Sequence, residues 1–128
     1  MRYRSDHKGD SRRRILTAAA RSIREHGSQG VSVAAVMAEA GLTHGGFFFA
    51  HFSSKSALIT AAIEAMFAES ATRLAHRLEA QEPKAALTAH IDYYLSPRHC
   101  EPRDAGCPIT ALGSEAPRLD AAAQAAFA

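Results

Sequence analysis

Thr43, His44, Gly45 and Gly46, followed by His51 and Lys55, are the residues of this chain best suited to chemistry. The chemistry is recognition rather than bond making. Thr43 and His44 can donate or accept hydrogen bonds to base edges or phosphates. Gly45 and Gly46 each cost a helix about 1 kcal/mol relative to alanine. Two of them in one short helix point to close approach of backbone to a bulky surface such as a phosphate chain; a simple loosening of the turn is the competing reading. Lys55 falls in the first turn of an expected helix, where a cation opposes the helix dipole. A phosphate at that amino end reverses the sign, because the helix N-terminus and the lysine both favour anions. Phe47, Phe48, Phe49 and Phe52 read as core staples, with base stacking the minor alternative.

These residues need helices to hold them. Ser11 can cap a first helix reaching His26, with Ile15, Ala19 and Ile23 at i, i+4 and i+8 on its apolar face. Gly27 then stops it. Ser32 can cap a second helix, Val33 to Ala40, with Val36, Met37 and Ala40 inward and Gly41 at its end. Thr43 can cap a third, His44 to Phe49, and Ser54 a long fourth, Lys55 to Ala80, with Leu58, Ala62, Ile63, Met66, Phe67, Leu74 and Leu78 at helical spacing. Pro83 is predicted to open a fifth helix to Leu95, with Leu87, Ile91 and Tyr94 inward. Residues 96–107 read as a loop. Short helices are expected from Pro108 to Leu112 and from Leu119 to Ala128.

The chain is 128 residues long and 47% hydrophobic, which suits a folded unit and excludes global disorder. Abundant alanine and the lack of β-branched runs point to an all-α fold. The net charge of +2 conceals an asymmetry. Residues 1–63 hold nine basic and four acidic side chains; residues 64–128 hold six basic and nine acidic ones. A basic first half suggests a polyanionic partner, against the plainer reading of an arginine-rich solvated helix. No apolar run approaches the roughly 18–20 residues that span a membrane, and no apolar signal core follows the basic N-terminus. The expectation is a cytoplasmic protein with no membrane partner, in which Cys100 and Cys107 are reduced.

Those cysteines carry a rival reading. His90, His99 and Arg103 lie near them in sequence, and nearby cations lower a thiol pKa, so a redox- or electrophile-responsive thiol is possible at Cys107 or Cys100. The spacing of His99, Cys100 and Cys107 lacks a clear four-ligand metal pattern, and no metal site is expected. No nucleophile motif, phosphate loop or paired-carboxylate signature occurs, so neither an enzyme nor a cofactor is expected.

Several segments together resemble the TetR family of bacterial transcriptional regulators. They are Arg12-Arg13-Arg14-Ile15-Leu16 with Ala19-Ala20, Gly27, Gly30-Val31-Ser32-Val33 with Val36, Ala40-Gly41-Leu42-Thr43, and the run from Phe49 to Lys55. The match covers about residues 12–63. Residues 106–113 are similar, more weakly, to a segment of the regulatory domain of some members.

The resemblance implies an N-terminal three-helix helix-turn-helix unit joined by a long fourth helix to a partial helical regulatory domain. In residues, it implies a basic flexible arm (1–11), a DNA-binding domain (12–54) and a partial ligand-binding and dimerisation domain (55–128). It further implies a homodimer on double-stranded DNA with a palindromic operator, and repression relieved by a small-molecule effector. By position, Ser32, Thr43, Phe49, His51 and Lys55 would contact or brace the phosphate backbone, while His44, Gly45 and Gly46 would face bases.

Two departures stand out. The usual pattern is Thr/Ser-x-Gly-x-x-Tyr-x-His-Phe, and this stretch is one residue longer. The register that keeps the aromatic, His, Phe, Ser and Lys together puts Phe49 at the tyrosine and Gly46 at the glycine. The extra residue then sits in the turn or in a bulge of the third helix. Phenylalanine also replaces the tyrosine, removing a hydroxyl that would donate to phosphate. Family members generally run longer, which leaves open a fragment, a truncated product or another mode of dimerisation. A helical interaction fragment without DNA binding is the remaining alternative.

Overall fold

The first helix, α1, spans Arg2–His26 and so begins well before Ser11 in the computed structural model, which describes residues 2–42, 48 and 50–128. The flexible arm expected over the first eleven residues is therefore helical from Arg2 onward. Asp10 ties this extension to the rest of the helix: its carboxylate meets Arg13 at 2.6 Å and Arg14 at 3.9 Å, the i+3 and i+4 pairs that support the turn following it. Ser11 does not cap the helix but is buried within it, 2% exposed. α1 ends as its sequence predicts. Gly27 takes φ +75° and its amide donates to the Ile23 carbonyl at 2.8 Å.

α2 (Val33–Glu39) is capped by Ser32, whose hydroxyl oxygen accepts from the Ala35 amide at 3.3 Å. It closes in a Schellman motif. Leu42 N–H donates to the Met37 carbonyl and Gly41 N–H to the Ala38 carbonyl, with Gly41 at φ +75°. The long helix α3 (Lys55–Leu78) is capped by Ser54, which accepts from the Ala57 amide at 3.1 Å.

Beyond it come α4 (Pro83–Tyr94), α5 (Pro97–Cys100), α6 (Pro108–Leu112) and α7 (Ala121–Phe127), with 3-10 turns at Arg103–Ala105 and Ala116–Arg118. The stretch 96–107, expected as a loop, thus holds a helical turn begun by Pro97, a residue preset for a first helical position. Among the described residues every regular element is helical and no strand occurs.

One apolar cluster joins these elements. Ile15, Ala19 and Ile23 of α1 meet Val36 and Met37 of α2, Phe48 and Phe52, Leu58, Ala62, Ile63 and Met66 of α3, Leu112 of α6 and Ala123 of α7. Phe67 and Phe127 pack edge to face at 5.5 Å where α7 lies against α3.

α4 departs from expectation. Leu87 and Ile91 do not face inward; they are 60% and 46% exposed. Ala86 is the buried residue of α4. The reason is Arg77 of α3, whose guanidinium lies 3.7 Å over the Tyr93 ring and donates to His90 Nδ1 at 3.4 Å. That cation–π contact turns the polar and aromatic stripe of α4 toward α3, and the aliphatic stripe a hundred degrees around faces out.

Between α3 and α4, Ala80 holds φ +59°, a left-handed conformation that costs a residue with a Cβ about 1–2 kcal/mol. Ala80→Gly is therefore expected to stabilise the protein by about 0.5–1 kcal/mol in urea unfolding, a gain trimmed by glycine's greater freedom in the unfolded chain.

Candidate nucleic-acid interface

The site begins with what one helical turn does to its side chains. Phe52 N–H donates to the Phe48 carbonyl at 2.9 Å, the bond that relates two residues one helical turn apart. Phe48 and Phe52, one turn apart, are both buried, with ring centres 5.9 Å from each other. They anchor the segment to the core, the role their sequence suggested. Ala50 is exposed and His51 is half-buried at the rim.

α1 reaches this rim. The Arg12 guanidinium sits over the Phe52 ring at 5.2 Å. Burial, with the positive charges of Lys8 and Arg12, pushes the His51 imidazole below the usual histidine range. Three cationic or titratable groups from distant parts of the chain thus share one patch. Lys55 follows in the exposed first turn of α3, at the amino end that Ser54 caps, with no ion-pair partner among the described residues. Ser32 is exposed at the matching position of α2, its hydroxyl oxygen committed to the cap and its hydroxyl proton free to point outward.

The structure therefore places Ser32, His51 and Lys55 at or near helix amino ends, on exposed or half-buried positions. Thr43, His44, Gly45, Gly46 and Phe49 lie outside the described residues. Lys8 and Arg12 were missed as site residues. Their signal was present, since they sit at i and i+4 on α1 beside the Ile15 face, but the bulk count of arginines does not separate them from the rest.

Four further arginines of α1 have partners within the chain. Arg13 and Arg14 pair with Asp10. Arg14 also covers Gly41 so closely that a Cβ there would lie 2.6 Å from its Nη2. Arg21 bridges Glu39 and Asp104, and Arg24 Nε donates to the Gly106 carbonyl at 2.8 Å.

Residues 15–62 match the model of bacterial regulatory proteins of the tetR family. This match, over somewhat more than a third of the chain, supports the TetR-family resemblance of the N-terminal segment. Among curated proteins none matches the chain. The matched span runs from the core face of α1 past Phe48 and Phe52 into α3 and contains Ser32, His51 and Lys55. The match supports a TetR-like DNA-binding transcription regulator, and the described elements are all helical, as that fold requires. No described helix is long and apolar enough to cross a membrane.

The two cysteines lie at opposite ends of Tyr94. Cys100 Sγ approaches the Tyr94 carbonyl at 3.8 Å, while the Tyr94 hydroxyl meets Thr110 Oγ1 at 3.0 Å beside Cys107. Burial pushes the Cys107 thiol up, but hydrogen bonds from the Thr110 amide, the Tyr94 hydroxyl, the Ile109 amide and the Thr110 hydroxyl outweigh it, and the thiol stands below its ordinary value. The cations expected to do this, His90, His99 and Arg103, are not the cause. His99 Nδ1 is instead engaged with the Tyr94 carbonyl at 3.0 Å. Among the described residues no group of three His, Cys, Asp or Glu side chains is placed to hold a metal ion.

Proposed function

We propose that the chain is a repressor that grips the DNA backbone through Lys8, Arg12, Ser32, His51 and Lys55 and is released by a small-molecule effector. The convergence of Lys8 and Arg12 on His51, beside the amino end of α3, carries this reading. Helix amino ends and clustered cations are the chemistry that phosphates select. Thr43 and Phe49 are proposed to brace the same backbone, and His44, Gly45 and Gly46 to face the bases. Residues 12–54 form the DNA-binding part and residues 55–128 the regulatory part. The palindromic operator, the homodimer, the effector and a cytoplasmic location are what the family resemblance suggests, and they complete the proposal.

A mobility shift on the gene's own upstream DNA tests it, with oligomeric state measured in parallel. Binding that weakens steeply with salt supports the reading, and absence of binding at low salt defeats it.

The His51 patch adds a pH signature. Free, His51 is held neutral by burial and by its cationic neighbours; a phosphate brought against it favours the protonated form. Binding then takes up a proton, so affinity rises as pH falls from 8 toward 6, by up to about tenfold per unit. It levels off below the free histidine's own pKa. His51→Gln is expected to flatten this profile, as read by fluorescence anisotropy at constant ionic strength.

The Cys107 environment favours a second reading, in which the regulator responds to oxidants or electrophiles. Iodoacetamide at neutral pH is expected to label Cys107 several-fold faster than Cys100, with Cys107→Ser removing the fast phase. If full labelling of Cys107 leaves DNA affinity unchanged, the reading fails.

A further inference from the structure

The segment that follows α5 holds α2 at both of its ends. At the entrance, Ser28 is buried at 1% exposure in the turn between α1 and α2. Its amide donates to both oxygens of the Glu115 carboxylate, at 3.2 and 3.1 Å, and its hydroxyl donates to Oε2. The carboxylate fits because Gly27 has no side chain: a Cβ there would stand 2.2 Å from Glu115 Oε1. At the exit, Glu39, the last residue of α2, meets Arg21 at 3.0 Å, and the same guanidinium meets Asp104 at 3.0 Å. Arg24 adds its bond to the Gly106 carbonyl between the two grips.

α2 is only seven residues long, too short to be stable or to hold a direction alone. Whatever fixes its two ends also aims the residues that follow it. We propose that Glu115 and Asp104 are positioning residues for DNA binding, forming a two-point clamp through which residues 103–118 set the placement of α2. The inference rests on residues 12–54 being the DNA-reading part. It adds that this part is oriented by two carboxylates that never touch DNA.

The test uses the full chain with Glu115→Ala, Glu115→Gln and Asp104→Asn. Amide hydrogen exchange over residues 28–39 is measured beside affinity for the upstream DNA and for a scrambled duplex of equal length. Glu115→Ala is expected to speed exchange at Ser28 and through α2 about tenfold. It is also expected to weaken upstream binding about tenfold while leaving the scrambled duplex and the salt slope nearly unchanged. Glu115→Gln, which keeps an acceptor oxygen, falls between, and Asp104→Asn moves in the same direction. Exchange over 28–39 that stays at the wild-type rate in all three variants overturns the clamp. So does an equal loss on both duplexes. If the wild-type chain binds neither duplex, the DNA-binding reading fails by itself, while the exchange data still decide whether the clamp exists.

Discussion

Lys55→Glu is expected to make the protein slightly more stable and to weaken DNA binding by roughly fiftyfold near 0.1 M salt. The two effects have opposite signs because Lys55 occupies the first turn of α3, where no acidic residue is present. A glutamate there complements the helix dipole by about 0.3–1 kcal/mol, or a few degrees in melting temperature. For binding, each phosphate neutralised releases about 0.9 of a counterion, worth nearly a factor of ten at that salt, and a charge reversal counts about twice. The slope of log affinity against log salt is expected to fall in magnitude by about 1 to 2. A variant that melts higher and binds worse cannot owe the loss to unfolding. Lys55→Glu with wild-type affinity would remove Lys55 from the interface.

Leu112→Ala carries the largest expected cost in stability. Leu112 is fully buried, at 0% exposure, and sits in the apolar cluster with residues of α1 and α3. Truncating a buried leucine costs about 2–5 kcal/mol, set against the roughly 5–15 kcal/mol that holds a typical domain together. The loss falls where the clamp is anchored, since Glu115 follows only three residues later. Urea unfolding is expected to show a lower midpoint with little change in slope, and Ser28 to exchange faster than in the wild type. A cost below about 1 kcal/mol would mean that α6 is dispensable to the core.

How far these features could be read from the sequence depends on how local their causes are. Ser32 and Ser54 as caps, Gly27 and Gly41 as stops, and the Ile15–Ala19–Ile23 face were all legible, because each depends on residues within one or two turns. The start of α1 was misjudged. A polar segment offers no apolar periodicity, and the Asp10 pairs that favour helix are weak signals in a sequence.

The face of α4 was misread for a different reason. Leu87–Ile91–Leu95 and Ala86–His90–Tyr93 are both helical stripes, and Arg77, a residue of another helix, decides between them. The meeting of Lys8 and Arg12 with His51, and of Glu115 with Ser28, spans long stretches of chain that no local pattern connects. The family resemblance supplied Ser32, His51 and Lys55 but had nothing to say about these partners.

The apolar cluster that runs from Ile15 to Ala123 makes no break at residue 54. Leu58, Ala62, Ile63 and Met66 wall the proposed DNA-binding unit and the proposed regulatory segment at once. The proposed division at residue 54 is therefore not a division of folding. Heat should melt the chain in a single transition whose calorimetric and van't Hoff enthalpies agree. A DNA-reading fragment cut at residue 54 would leave the inner faces of α1 and α2 open to water. A substitution large enough to disturb α6 therefore lowers the stability of α1 and α2 as well, since Leu112 shares their core.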